Sequence, residues 1–249
     1  MSGTETPGAG TPGGVTRAGA PWAETAAGTT GGVSVTEWVL RPDARLHLLP
    51  QRVAFDPDRG LLLIADAHIG KAVSFRRLGV PVPHGTTGEA LSRLDALLEV
   101  TDAEHLIFLG DFLHSRRSHA PGTMDQVAAW RERHRHRALT LVRGNHDDRA
   151  GDPPARLGIT VFDGPLHIGP WALQHHPQPV PGAYALAGHV HPGIVLAGRM
   201  LGRLRLPCFH FGAAVGVLPA FGPFTGLHVI QRAEGERVFA LADDLVREV

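Results

Sequence analysis

The chain has 249 residues with 24 basic and 24 acidic side chains, a formal net charge of zero at pH 7, and one cysteine, Cys208. That balance excludes a globally basic surface, so any nucleic-acid contact must be local. A single cysteine excludes an intrachain disulfide, and no apolar run approaches the roughly 18 to 20 residues that a membrane-spanning helix needs. Cys208 itself lies in an apolar Leu-Pro-Cys-Phe setting and reads as packing, because a reactive thiol needs accessible, electropositive surroundings.

The first 32 residues hold twelve Gly or Pro, eight Ser or Thr and six Ala. Such a segment cannot bury enough apolar surface to order itself, so residues 1–32 are expected to be a disordered tail. It has neither a basic start with an apolar h-region nor an Arg-rich amphipathic pattern; no export signal is read, and a cytoplasmic location is expected. Residues 33–249 suit one domain with a sizeable core. Runs at 61–65, 105–109 and 138–143 read as strands. Between them, 89–100 reads as a helix with Leu91, Leu94, Leu97 and Leu98 on one face, and 124–137 as another, opened by a capping box of Thr123 and Gln126. The stretch Arg131 to Arg137 reads as a solvated helix face. From residue 157 onward come short runs at 159–162, 171–175, 184–187, 203–211 and 228–232, and then a short helix near 242–247. That order predicts an α/β fold of two packed sheets flanked by helices.

Five polar clusters fall at the ends of apolar runs: Asp66-Ala67-His68, Gly110-Asp111, Gly144-Asn145-His146-Asp147, His175-His176 and Gly188-His189-Val190-His191. Each alone has a bland reading as a turn or a satisfied core histidine. Five in one chain, each where a strand stops, describe a two-metal hydrolytic site in one crevice. A set of Asp, Asn and His without Cys favours Mn, Fe or Zn over a thiolate structural zinc, and manganese is the expected metal. Two cations about 3.5 to 4 Å apart clamp a phosphoryl oxygen and lower the pKa of a shared water. At 175–176 the residues alone leave open which imidazole is the ligand, since neighbours on a strand face opposite sides.

This series resembles the calcineurin-like metallophosphoesterases over nearly all of residues 35–249. Ala65-Asp66-Ala67-His68-Ile69-Gly70-Lys71, Phe75-Arg76, Gly79-Val80-Pro81-Val82-Pro83 and Gly110-Asp111-Phe112-Leu113-His114-Ser115 are similar to the bacterial ligase-associated DNA damage response endonucleases. So are Leu206-Pro207-Cys208-Phe209 and the tail from Leu218 to Gly226. The resemblance implies an αββα four-layer sandwich of two mixed β-sheets flanked by helices, with the metals at one edge. It implies that Asp66, His68 and His191 hold one metal, that Asn145, His175 and His189 hold the other, and that Asp111 bridges them. It places His146 at the scissile phosphate as phosphate contact and proton donor, with Asp147 orienting its imidazole, and favours His175 over His176. Relatives are associated with an ATP-dependent DNA ligase, a helicase and an exonuclease.

Arg76, Arg77, Arg116 and Arg117 follow two of the metal motifs, where guanidinium forks hold phosphates. Phe75 and Phe112 lie beside them and can stack bases, as single-strand binders do. Of these, Arg76, Arg116, Arg117 and Phe75, together with His114, are the candidate substrate contacts. The leading reading is a manganese-dependent endonuclease cutting single-stranded DNA in a repair context; the alternative is a small-molecule or cyclic-nucleotide phosphodiesterase. A binding scaffold without catalysis predicts missing ligands, and none is missing. A protein phosphatase is disfavoured because Phe-Leu-His-Ser-Arg follows Gly110-Asp111, where those enzymes carry Asp-Arg-Gly.

Overall fold

The computed structural model describes residues 25–30, 33–83, 85–198 and 202–249. Strands β1 (Thr25–Thr30), β2 (Val33–Arg41), β3 (Ala44–Leu49), β4 (Val53–Asp56) and β5 (Leu61–Ile64) form an antiparallel meander. The chain then alternates through α1 (Lys71–Arg77), α2 (Thr86–Thr101), β6 (His105–Leu109), α3 (Pro121–Arg133), β7 (Ala138–Val142), α4 (Asn145–Ala150) and β8 (Thr160–Phe162). Strands β5 to β8 pair in parallel and complete an eight-stranded sheet whose spatial order follows the sequence.

The second, nine-stranded sheet contains β9 (Leu166–Ile168), β10 (Trp171–Leu173), β11 (Tyr184–Ala187), β12 (Pro192–Gly198), β13 (Gly202–Phe211), β14 (Val215–Val217), β15 (His228–Val229), β16 (Arg237–Ala242) and β17 (Leu245–Glu248). Its β10, β11 and β14 are parallel, and the remaining pairs mostly antiparallel. The result is an α/β sandwich of two mixed sheets with flanking helices. No α-helix follows Ala150 among the described residues.

Alternation of side chains along the parallel strands divides the core in two. Leu62, Ile64, Leu106, Phe108, Leu139 and Leu141 face α2 and α3, meeting Leu91, Leu94, Leu98, Met124, Val127 and Trp130. Leu61, Leu63, Ile107, Leu109 and Val142 face the second sheet, meeting Trp171, Leu173, Leu186, Phe209 and Phe211. Strands buried on both faces read as unbroken apolar runs, which is why 61–65 and 105–109 were legible. Each fully buried Leu contributes about 2 kcal/mol. The two sheets are further locked where Trp38 stacks on Phe211 at 4.0 Å and where the buried Asp56 carboxylate accepts the Trp171 Nε1–H at 2.7 Å. Cys208 lies on the opposite face of β13 from Phe209, packed on Ile230 and Val238, and burial pushes its thiol up to about 12.

Several expectations are corrected. The disordered tail does not run to residue 32: residues 25–30 pair with Val33–Trp38 as β1, because β2 offers an edge whose backbone groups need partners. The rest of the expected tail lies outside the described residues. The segment at 242–247 is not helical; Leu245–Glu248 pairs with Phe239–Ala242 across a tight turn at Asp243, whose φ is 48°. Helix α3 opens on Pro121 at its first position instead of a Thr123 capping box, with Thr123 buried and Gln126 donating to the Gly122 carbonyl at 2.8 Å. It also stops at Arg133. Within 131–137, Glu132, Arg133, Arg135 and His136 are exposed as expected, whereas Arg131 and Arg137 donate to backbone carbonyls of Leu157 and Ala103 and strap the turn after the helix.

Candidate metal centre

The five clusters meet at the C-terminal edge of the parallel strands. The chain achieves this by curling sharply as each strand ends. Asp66, His68, Asp111, His189 and His191 have φ of 51°, 46°, 52°, 70° and 53°, in the left-handed region that costs a non-glycine residue roughly 1 to 2 kcal/mol. Five of the nine such residues described are candidate ligands, so the strain is concentrated where side chains are turned into the crevice. Glycines make the close approach possible. A Cβ on Gly144 would lie 2.6 Å from the Asp111 backbone nitrogen, and one on Gly188 would lie 2.5 Å from Asp66 Oδ2.

Two groups of donors result. Asp66, His68 and His191 converge on one side, with His191 Nε2 3.3 Å from Asp66 Oδ1. On the other, His175 Nε2 lies 3.0 Å from Asn145 Oδ1 and 3.1 Å from His189 Nδ1. Asp111 stands between them, its Oδ2 3.9 Å from His68 Nε2 and its Oδ1 3.5 Å from His175 Nε2. Burial and the neighbouring Asp66 carboxylate push Asp111 upward. Burial, and then the Lys71 charge, pushes His68 down to about 2, so that imidazole is neutral, as a ligand must be. The His175 Nδ1–H donates to the Leu109 carbonyl at 3.0 Å, which leaves Nε2 as the lone-pair nitrogen facing the crevice.

Divalent cations fit these residues. Asp66 Oδ1 is buried with no hydrogen-bond partner, an arrangement costly for a carboxylate unless a cation completes it. Ligand atoms of Asp66, His68 and His191 lie within 4.8 Å of one another, as do those of His175, His176 and His189.

Two expectations about this site change. His175 and His176 do not point to opposite sides, because β10 ends at Leu173 and strand alternation no longer applies. The ring of His176 lies 4.8 Å from that of His175 and 4.4 Å from that of His189. The two remain unequal, since His175 is buried and held by Leu109 whereas His176 is exposed. His175→Ala is therefore expected to lose one metal per chain together with activity, and His176→Ala to keep two metals. Elemental analysis of both variants checks this; the opposite pattern would reverse the assignment.

Asp147 does not orient His146. It is wholly buried and accepts backbone N–H groups from Leu113 at 3.0 Å, Gly144 at 3.0 Å and Phe112 at 3.4 Å, which pins the Asp111 loop to the start of α4. Burial raises its pKa to about 6. The His146 ring is held instead by the His114 carbonyl, 2.8 Å from Nδ1, leaving Nε2 toward the crevice and 4.0 Å from Asp111 Oδ2. Asp147→Ala leaves three buried donors unpaired at about 1 kcal/mol or more each, so a loss of about 3 kcal/mol in denaturant unfolding is expected. A loss below about 1 kcal/mol would deny it the bracing role.

Beside the metal groups lies an open cleft of about 440 Å³ lined by Ser74, Leu78, His114, Arg116, Arg117 and Arg149, among others, with His146 on its wall. His114 stacks on His146 with ring centroids 4.9 Å apart. The structure thus brings His114, Arg116 and Arg117 to the crevice. Phe75 is half-buried 6.2 Å from His114. Arg76 is not brought in: it donates to the Pro83 carbonyl and lines a separate cavity. Nor is Phe112, which is 2% exposed and packs on Phe108 in the core. Arg149 was missed, although helical spacing from His146 places the two on one face of α4.

The chain belongs to the calcineurin-like phosphoesterase family, whose pattern it matches over residues 61–212. It is a metal-dependent phosphoester hydrolase, with a dinuclear divalent centre as that family holds. A solved structure of a Pseudomonas putida nuclease, MPE, is 43% identical, covers 91% of this chain and 100% of its own, and superposes with a TM-score of 0.74. The Aquifex aeolicus protein AQ665 is 18% identical over 57% of this chain and 81% of its own, with a TM-score of 0.37. The Escherichia coli phosphoesterase Yfce is 16% identical over 75% of this chain and 90% of its own, with a TM-score of 0.35. No protein of curated function matches.

Proposed function

We propose that the protein is a manganese-dependent endonuclease that cuts single-stranded DNA. The observation that carries the reading is the cleft beside the metal groups, which gathers Arg116, Arg117 and Arg149, none of them in an ion pair among the described residues. Unpaired guanidinium groups in an otherwise neutral protein form a local phosphate-binding surface. Identity of 43% to a nuclease supports the same substrate class.

When bound, the metal pair supplies Lewis acidity and an activated water. Asp66, His68 and His191 would hold one ion and Asn145, His175 and His189 the other, with Asp111 standing between the two groups. His146 Nε2 donates a proton to the leaving oxygen, in the tautomer set by the His114 carbonyl. Arg116, Arg117 and Arg149 hold flanking phosphates, and Phe75 offers a ring to a base. The Asp, Asn and His donor set suits Mn, Fe or Zn, and manganese is the metal we propose among them. We further place the protein in the cytoplasm, in a DNA repair context and in functional association with an ATP-dependent DNA ligase, a helicase and an exonuclease. No helix is long and apolar enough to cross a membrane.

Circular single-stranded DNA with manganese tests the reading beside bis-p-nitrophenyl phosphate. Linear products from the circle support the endonuclease. Hydrolysis of the small diester or of a cyclic nucleotide with the circle intact would favour a small-molecule phosphodiesterase.

A further inference from the structure

Of the 24 basic residues, 23 are arginine and one is lysine, Lys71. Whatever bias filled the chain with guanidinium groups did not reach this position. Lys71 opens α1 three residues beyond His68, whose carbonyl accepts its backbone N–H at 3.1 Å. Its Nζ lies 5.7 Å from the centroid of the Phe75 ring, which is itself 6.2 Å from His114. The side chain is half-buried, yet Nζ has no hydrogen bond and no carboxylate within ion-pair distance among the described residues. An ammonium with no protein acceptor is available to an anion that enters beside it. Burial lowers the Lys71 pKa against the pull of Asp66 and Asp111, and burial, followed by the Lys71 charge, lowers His68 and His114.

Asp66 and Asp111 are assigned to the metals, so they do not supply that acceptor. We propose that the Lys71 ammonium binds a non-bridging oxygen of the scissile phosphate and stabilises the negative charge that gathers there in the transition state. Water attacks phosphorus and gives up a proton to solvent, the bond to the leaving oxygen breaks, and that oxygen takes a proton from His146. Lys71 keeps its three protons throughout. A compact ammonium suits a contact with one oxygen at a crowded centre, whereas the planar arginine fork suits the open flanking cleft. A half-buried charge contributes more to such a contact than one fully in solvent.

The inference rests on phosphodiester hydrolysis at this site, not on DNA as substrate. Its test uses the full chain loaded with manganese, with bis-p-nitrophenyl phosphate as probe. Lys71→Met is expected to lower kcat on the order of 10²-fold while keeping two metals and the wild-type melting temperature. Lys71→Cys should be comparably slow, and alkylation with 2-bromoethylamine, which rebuilds an ammonium at nearly the lysine length, should restore most of kcat. Cys208 is fully buried, so residue 71 presents the accessible thiol. A Lys71→Met enzyme within about threefold of wild type, loss of a metal in that variant, an effect confined to KM for DNA, or failure of the alkylated Cys to recover would each overturn the proposal. A wild-type enzyme inactive on the diester would instead overturn the phosphodiesterase reading on which it rests.

Discussion

Asp111→Ala is expected to abolish hydrolysis while leaving the fold intact. Asp111 presents Oδ2 toward His68 and Oδ1 toward His175, so its removal takes away the carboxylate that serves both donor groups. The folded chain should tolerate the change, because burial and Asp66 already disfavour its charge. Its own main contact in the metal-free chain is the His146 backbone N–H at 2.8 Å. The melting temperature of metal-free Asp111→Ala should therefore be close to wild type, while metal content and turnover collapse together. Retention of more than about a tenth of wild-type turnover on a phosphodiester, less than roughly 1.4 kcal/mol of barrier, would sink the bridging assignment.

His146→Ala should separate proton donation from metal binding. The His146 side chain is held through Nδ1 by a backbone carbonyl and directs Nε2 into the crevice, where it belongs to neither of the two ligand sets proposed for the ions. It does lie near His68 and His114, within a third grouping of imidazoles. The variant should keep two metals and lose about two to four orders of magnitude in kcat on a diester with a poor leaving group. With p-nitrophenolate, which departs without a proton, the deficit should shrink. Equal losses on both substrates, or loss of a metal by elemental analysis, would refute the acid role. Asp147→Ala offers a useful contrast, because its effect should appear in unfolding free energy and fall equally on good and poor leaving groups.

The sequence by itself determined the chemistry of the centre. Strand ends can be read from apolar runs that stop at Asp66, Gly110 and Gly144, and the parallel strands were legible because burial on both faces leaves no polar interruption. Helix α2 showed for a similar reason: Leu91, Leu94 and Leu98 repeat at helical spacing and are buried against the first sheet. Ligand types are intrinsic to side chains, so the donor set required no coordinates. Tertiary structure decided what depends on contacts distant in sequence. Residues 25–30 have little apolar periodicity and become a strand only because the edge of β2 is there to pair with. Asp147 is next to His146 in sequence, yet the loop at 112–113, brought close by the parallel sheet, captures its carboxylate, and a carbonyl from the same loop captures the imidazole. His176 reaches His189 because β10 ends two residues before His175, a boundary that pairing with β9 and β11 sets and local propensity does not. Arg149 joins the crevice through α4, which is too short to announce itself by periodicity and is held in place by what it packs against.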